Sequence, residues 1–210
     1  MSDELVLYTN PMSRGRIARW MLEEVGRPYR VEVLEYGTTM KAPAYLAINP
    51  MGKVPAVVHG GAVVTECAAI CAYLADAFPD TGLAPAPGDP ARGDWLRWLF
   101  FGAGPLESAV TNRALGVQVP AERKGMVGYG SLDEVAGALE GWLSTHPYFA
   151  AGRFTAADVY VGAQLGWALQ FGTIASRPTF VDYVARIQAR PAAQRAKALD
   201  DALLPVPPRP

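Results

Sequence analysis

The sequence predicts an α/β domain with a mixed sheet, followed by an all-helical domain. Short apolar runs of strand type lie before residue 79, a segment rich in proline and glycine follows, and the remainder shows helical spacing without a convincing strand. We therefore divide the 210 residues into a first domain over 1–79, a linker over 80–90, a helical domain over 91–203 and an extended tail over 204–210.

The first domain begins with a strand, a helix and a second strand. The apolar run 5–8 is too short for a helix and suits a buried strand. Ser13 can cap a helix that ends near Gly26, and residues 29–34 alternate as a second strand does. Because strand–helix–strand units are usually parallel, we expect these two strands to pair in parallel.

After a loop over 36–43, the chain predicts a strand hairpin and a second helix. Two valine pairs, at 57–58 and 63–64, flank the turn His59-Gly60-Gly61, and a helix begins at Thr65-Glu66. Together with the first two strands, the hairpin predicts a mixed four-stranded sheet with helices packed on it.

The rest of the chain predicts helices only. The expected ranges are 91–115 with a bend at 102–105, 120–143, 156–171, 180–189 and 191–203. Thr155 and Asp158 have the spacing of a capping box, which is a folding device and not a site.

Composition and charge exclude several classes of function. Half of the residues are hydrophobic, and 19 basic against 20 acidic residues give a formal net charge of −1. This balance predicts no general attraction to nucleic acid or to an anionic membrane, and no apolar run is long enough to span one. The N-terminal residues have neither a basic segment nor a signal core, so we expect a cytoplasmic protein.

The metal-binding residue types are few and scattered. His59 and His146 are far apart, and Cys67 and Cys71 stand four apart on one predicted helix. Neither arrangement is typical of a metal site, and a disulfide within one helix is geometrically awkward. We expect no metal and no disulfide.

Two features between Asn49 and Cys71 point to a ligand. Pro55 begins a strand and has no backbone donor, which leaves the carbonyl and amide of Val54 available for another partner. The helix that begins at Glu66 and Cys67 directs amide groups outward, where they favour an anion.

This stretch resembles the glutathione-binding half of the cytosolic glutathione S-transferases. The resemblance rests on the turn Asn49-Pro50-Met51-Gly52-Lys53-Val54-Pro55 and on the helix start Glu66-Cys67-Ala68-Ala69-Ile70. With the Thr155–Asp158 capping motif it extends from about Leu5 to about Leu169. It implies a thioredoxin-like first domain, a detoxifying transferase with glutathione as co-substrate, and a homodimer. Bacterial theta- or nu-like members are the most similar.

The resemblance also implies which group activates the glutathione thiol. A free thiol has a pKa of about 8.5, and a hydrogen-bond donor or a helix N-terminus directed at the sulfur lowers it. Ser13 stands at the start of the first helix, five residues after Tyr8, as the activating serine of theta-like members does. Tyr8 is the alternative donor, with a buried aromatic as its structural interpretation. No cysteine lies between Tyr8 and Arg16, which counts against the cysteine-type classes.

Binding roles follow from the same resemblance. The Val54 backbone would pair with the cysteinyl unit of glutathione, with Pro55 in the cis form. Glu66 and the amide of residue 67 would hold the γ-glutamyl end, more weakly because Cys67 replaces the usual serine. Lys53 would reach the glycyl carboxylate, unless it is an ordinary surface lysine.

The second substrate would be a small hydrophobic electrophile, in a pocket between the domains. Candidate lining residues are apolar, and each is also a candidate for plain core: Met12, Phe101, Leu106, Val110, Trp167 and Phe171. Two other functions remain open on the sequence, a glutathione-dependent disulfide reductase or peroxidase and a non-catalytic binding protein, because fold alone does not settle function.

Overall fold

The computed structural model describes residues 4–204. These residues form two compact units, one made of residues 4–81 together with 189–204, and the other of Gly82–Gln188. The predicted tail lies outside the described residues except for Leu204.

The first unit contains the predicted mixed sheet. Its strands are β1 (Leu5–Thr9), β2 (Arg30–Val33), β3 (Ala56–His59) and β4 (Ala62–Thr65), in the order β2-β1-β3-β4. The β1–β2 pair is parallel, and the β1–β3 and β3–β4 pairs are antiparallel. The prediction of an α/β thioredoxin-like domain with four mixed strands is confirmed.

The β3–β4 connection is the predicted tight hairpin. Gly60 and Gly61 both have positive φ, 56° and 89°, as the two central residues of a type I′ turn require. Because glycine lacks a Cβ, it adopts this conformation without steric cost.

Three helices lie between or after the strands of this unit along the chain. They are α1 (Gly15–Val25), α2 (Pro43–Leu46) and α3 (Cys67–Ala77). The segment 36–43 is not only a loop, because it contains a 3₁₀ turn at Thr39–Lys41 and leads into α2. One helical turn carries too few periodic positions to be recognised in a sequence.

The last helix, α9 (Pro191–Asp201), packs on α1 within the first unit. The sequence assigned this stretch to the helical domain, so the contacts group it differently. Three ion pairs join the two helices and a fourth joins α1 to Arg190, the residue before α9, in antiparallel order: Arg16–Asp201, Arg19–Asp200, Glu23–Arg195 and Glu24–Arg190. These pairs connect residues more than 160 positions apart, which no local pattern predicts.

The second unit is helical throughout its named elements. They are α4 (Ala91–Phe101), a π-helical turn (Gly102–Leu106), α5 (Glu107–Ala114), α6 (Leu132–Leu143), α7 (Ala156–Gln170) and α8 (Pro178–Gln188). The bend expected at 102–105 is this π turn. Pro105 cannot donate a backbone hydrogen bond there, and Gln164 donates its side-chain amide to the Gly102 carbonyl.

The prediction of one helix over 120–143 is wrong. A 3₁₀ segment covers Ala121–Met126, and α6 begins only at Leu132. Gly130 has a positive φ of 62°, which interrupts a right-handed helix, and Ser131 then caps α6 by accepting a hydrogen bond from the Glu134 amide. The spacing of apolar residues over 120–143 did not reveal that a helix starts again at Leu132.

The predicted capping box begins α7. The Thr155 amide donates to Asp158 Oδ2 at 2.9 Å, and the Phe149 amide and the Tyr183 hydroxyl donate to Oδ1. Burial raises the pKa of Asp158 to about 6, against these hydrogen bonds, which lower it. The capping box is present as predicted, and its carboxylate also joins the start of α7 to Phe149 and to Tyr183 of α8.

Candidate active site

The topology of the sheet brings three separate segments to one edge. Strands β1 and β4 run in the same direction, since each is antiparallel to β3. Their carboxyl ends lead directly to α1 and α3, so both helix starts lie at that edge. The amino end of β3, which follows the turn at Pro55, lies there as well.

The loop after β1 is held by its own side chains. Asn10 is 7% exposed; its amide group donates to the Leu34 carbonyl, and its Oδ1 accepts from the Met12 amide at 2.9 Å. The Ser13 amide in turn donates to the Asn10 carbonyl at 3.1 Å. The backbone that carries Ser13 is therefore fixed before any ligand binds.

Ser13 is half-buried at the start of α1. Its hydroxyl accepts a hydrogen bond from the Gly15 amide at 2.9 Å and donates its hydrogen to the Asn10 carbonyl at 2.7 Å. A serine hydroxyl has only one hydrogen to donate. To donate to a thiolate it must leave Asn10, at a cost of about 1 kcal/mol for an ordinary hydrogen bond.

Tyr8 differs from Ser13 in having its donor available. Its half-buried ring packs near Met40 and lies 5.5 Å from the Tyr45 ring, measured between centroids. Within residues 4–204, no group hydrogen-bonds its hydroxyl. The packed ring fits the interpretation of Tyr8 as a structural aromatic residue. Because its hydroxyl is available, Tyr8 remains the alternative activating group.

The turn before β3 has the predicted shape. The Val54–Pro55 peptide is cis, as the resemblance implied. Asn49, 4% exposed, and the Tyr45 hydroxyl both donate to the Lys53 carbonyl, at 2.8 and 2.6 Å. Val54 precedes the first paired residue of β3 and is held in place by these bonds to its neighbour.

A second cation, Lys41, lies against the turn that leads to the exposed Lys53. The Lys41 ammonium group donates to the Met51 carbonyl at 2.9 Å and lies so near Gly52 that a Cβ there would be 2.8 Å from Nζ. The sequence analysis did not identify Lys41. Its position depends on the 3₁₀ turn at Thr39–Lys41, which the sequence did not reveal.

Glu66 adopts a strained conformation directly before α3. Its φ is 65° and its ψ is 121°, which costs a non-glycine residue roughly 1–3 kcal/mol. Its carbonyl accepts the first helical hydrogen bond, from Ile70 at 2.8 Å. The side chain of Glu66 does not cap α3, so the helix start can receive an anionic group from a ligand.

Cys67 connects the two helix starts. Its thiol group lies 3.6 Å from the Arg14 carbonyl oxygen, and the residue is 8% exposed. The first turns of α1 and α3 are therefore neighbours. Their dipoles both place positive potential where a thiolate and a carboxylate would bind.

The six residues predicted to line the electrophile pocket differ widely in their exposure. Met12 and Phe171 are 65% and 72% exposed, whereas Leu106 is fully buried and belongs to the core of the second unit. Phe101, Val110 and Trp167 are partly buried. The pocket stays a prediction.

The second unit has a cleft of its own, with a volume of about 400 Å³. It lies between α5 and the segment before α6, and none of the six predicted residues lines it. The lining residues are Glu107, Ser108, Thr111, Asn112, Val127, Gly128 and Tyr129.

Within residues 4–204, no group of three or more His, Cys, Asp or Glu side chains could hold a metal ion. No helix in the same range is both long and apolar enough to span a membrane.

A mixed sheet with a cis-proline turn and a helix start at the same edge defines a thioredoxin-like domain. Comparison with known proteins agrees. The family model of the glutathione S-transferase N-terminal domain matches residues 12–77, and that of the C-terminal domain matches residues 128–191. Glutathione S-transferase 3 of Zea mays is 30% identical over 220 residues, which cover 98% of this chain and 97% of the relative. The chain belongs to the glutathione S-transferase family.

Solved structures give the same result. A glutathione transferase from Methylococcus capsulatus has a TM-score of 0.78 at 30% identity, over 94% of this chain and 99% of its own. A sphingomonad glutathione S-transferase complexed with glutathione has a TM-score of 0.76 at 29% identity, over 93% and 98%. The protein is a glutathione transferase with glutathione as co-substrate, and the reductase and non-catalytic alternatives are not favoured.

Proposed function

We propose that this glutathione transferase is of the serine type, with Ser13 as the residue that activates the thiol. The observation that supports this role is the position of the Ser13 hydroxyl at the first amide of α1. There the hydroxyl and the helix dipole would act on the same sulfur. Stabilising the thiolate lowers the thiol pKa, which increases the nucleophilic fraction near neutral pH.

The energetics favour a change of acceptor for the Ser13 hydroxyl, whose hydrogen bond moves from the Asn10 carbonyl to the thiolate while the hydrogen stays on Ser13. Leaving the Asn10 carbonyl costs about 1 kcal/mol, whereas a hydrogen bond to a charged acceptor contributes about 1.5–3 kcal/mol. The Ser13 amide still donates to the same carbonyl, at 3.1 Å, so Asn10 does not lose both of its partners. The hydroxyl can therefore rotate without leaving a buried acceptor unsatisfied.

Glutathione binding would use the three segments at the sheet edge. The Val54 backbone pairs with the cysteinyl unit, and Glu66 with the Cys67 amide holds the γ-glutamyl end. Lys53 binds the glycyl carboxylate, and Lys41 adds a second positive charge beside the same turn. The thiol of Cys67, a weaker donor than a hydroxyl, gives weaker binding than serine would.

The remaining features of the function follow the family. We propose a small hydrophobic electrophile as second substrate, a homodimeric assembly, a cytoplasmic location and a bacterial theta- or nu-like subtype. Near-balanced charge, with 19 basic and 20 acidic residues, supports the absence of nucleic-acid and membrane partners.

The experiment compares Ser13→Ala with Tyr8→Phe. Turnover with glutathione and an activated aryl chloride is measured, together with the pKa of the bound thiol from its thiolate absorbance. We expect Ser13→Ala to raise the thiol pKa and lower kcat while the Kd of glutathione stays unchanged, because the hydroxyl acts on the sulfur only.

Tyr8 is the second candidate because its hydroxyl has no partner among the described residues. If Tyr8→Phe raises the thiol pKa and Ser13→Ala does not, the enzyme is of the tyrosine type. If neither variant changes it, activation comes from the backbone amides of the helix start.

A further inference from the structure

Arg16 connects the proposed catalytic loop to the other end of the chain. It lies in the first turn of α1, three residues after Ser13. Its Nε donates to the Pro11 carbonyl, and its Nη1 donates to Asp201 Oδ1 at 2.8 Å. One planar guanidinium group thus joins the loop before Ser13 to the last residue of α9.

The Pro11 carbonyl needs this partner to be fixed. Within the loop, Asn10 binds the Met12 amide and the Ser13 amide, and the Ser13 carbonyl accepts from the Arg16 amide at 3.3 Å. Pro11 has no amide hydrogen, so its carbonyl is the only backbone group by which it can be held. Among the hydrogen bonds described for this loop, Arg16 supplies that contact.

The position of Asp201 is explained by Arg16. A negative side chain in the last turn of a helix opposes the helix dipole, at roughly 0.3–1 kcal/mol. The last turn of α9 nevertheless carries Asp200 and Asp201 and no basic residue. Asp201 also accepts from Lys197, so its two oxygens each hold one cation. The carboxylate is thereby fixed in the orientation in which it holds Arg16.

We propose that Arg16 and Asp201 are positioning residues for thiol activation, through which the C-terminal helix sets the place of the Ser13 hydroxyl. The inference rests on the proposed role of Ser13. Asp201 orients the guanidinium group, Arg16 fixes the Pro11 carbonyl, and the loop then holds Ser13 where its hydroxyl reaches the sulfur. The glutathione-binding residues lie on other segments, so binding does not depend on this contact.

The test uses the full chain with Asp201→Ala, Arg16→Gln and Arg16→Lys, each compared with Ser13→Ala. A lysine can hold Pro11 or Asp201 but not both in the fork geometry of arginine, so it should restore function only in part. Arg195→Gln is the matched control, since it removes the Glu23 contact on the same pair of helices but does not touch the loop. Thermal unfolding monitors the fold of each variant.

We expect Asp201→Ala to raise the bound thiol pKa by about half a unit, which is about threefold less thiolate below the pKa. The KM of glutathione should stay unchanged, and kcat should recover at high pH, where the thiol ionises without help. Arg16→Gln should have a larger effect and Arg16→Lys a smaller one. Arg195→Gln should leave the pH profile as it is.

Three outcomes overturn the proposal, and they are distinguishable from failure of the Ser13 role. If Ser13→Ala raises the thiol pKa while the Arg16 and Asp201 variants do not, the positioning role is wrong and the proposed function stands. If Arg195→Gln shifts the profile as much as Asp201→Ala, docking of α9 alone is responsible. If Ser13→Ala has no effect, the function proposed for Ser13 fails, and with it this role.

Discussion

The buried ion pair between Arg19 and Asp200 allows a quantitative prediction. Their side chains are only 4% and 1% exposed, and Arg19 Nε lies 2.8 Å from Asp200 Oδ1. Arg19 Nη2 and Asp200 Oδ2 are both buried and have no hydrogen-bond partner among the described residues 4–204. Burial raises the pKa of Asp200 although Arg19 lowers it, so desolvation outweighs the attraction. The pair therefore joins α1 to α9 with both charged side chains almost entirely removed from water.

Removing one partner should be far worse than removing both. Asp200→Ala leaves the Arg19 charge buried and uncompensated, which we expect to lower the free energy of unfolding by about 3–5 kcal/mol. The double variant Arg19→Met with Asp200→Leu replaces the pair by apolar groups of similar size. It should be neutral or more stable than the wild type by about 1–4 kcal/mol.

The assay is urea unfolding followed by circular dichroism, at one salt concentration and with m-values compared between variants. A loss below about 1 kcal/mol for Asp200→Ala would show that water reaches Arg19 and that the pair is not desolvated. A double variant as unstable as the single one would show that the ionic contact itself stabilises the junction. Either result would refute the reasoning.

Three further predictions concern other parts of the chain. Glu66→Ala should weaken glutathione binding with little effect on the pKa of the bound thiol; an unchanged Kd by calorimetry would mean that the γ-glutamyl end lies elsewhere. Gly15→Ala should destabilise the protein by about 1–3 kcal/mol, because the new Cβ would lie 1.9 Å from Thr9 Oγ1, and Gly137→Ala, with open space around it, is the control in thermal unfolding. For Asp158, a folded pKa of about 6 lies above the ordinary value of 3.8, so its contribution to stability is largest at low pH and is lost as pH rises through about 6. The stability difference between wild type and Asp158→Asn should therefore grow from pH 7 to pH 4.5, and a shrinking difference in urea titrations would contradict the sign.

Local chemistry explains which parts of the fold could be predicted. The hairpin turn at Gly60-Gly61 and the capping box at Thr155 are encoded within a few residues, and both are present. The break before α6 depends on Gly130 and Ser131, which a periodic apolar pattern does not show. The packing of α9 on α1 involves ion pairs between residues far apart in sequence, such as Glu24 and Arg190, which are 166 positions apart. No local pattern in the sequence predicts such pairs.

The part of the site that lies within one continuous segment of the chain could be predicted from the sequence. The turn before Pro55 and the helix start at Glu66 were identified from residues in sequence, and the cis peptide at Pro55 is confirmed. Lys41 and Arg16 could not be identified from the sequence. Their contacts with the Met51 and Pro11 carbonyls form only when the chain folds. The hydrogen bond from Ser13 to Asn10 is likewise invisible in sequence, although it determines what thiol activation must overcome.

Thiol activation and glutathione binding are assigned to different segments at this edge of the sheet. Substitutions in the two segments should therefore change different kinetic quantities. The loop that carries Ser13 is held by Asn10 from within and by Arg16 of α1, which in turn contacts Asp201 of α9. The residues assigned to glutathione are Lys41 and residues between Lys53 and Cys67, and Asn49 fixes the turn at Lys53 independently of the Ser13 loop. Changes in the loop should therefore act on the thiol pKa and kcat, and changes in the second segment on Kd. If a variant of Arg16 altered only the Kd of glutathione, the two segments would be coupled. The assignment of thiol activation to one segment and glutathione binding to the other would then be wrong.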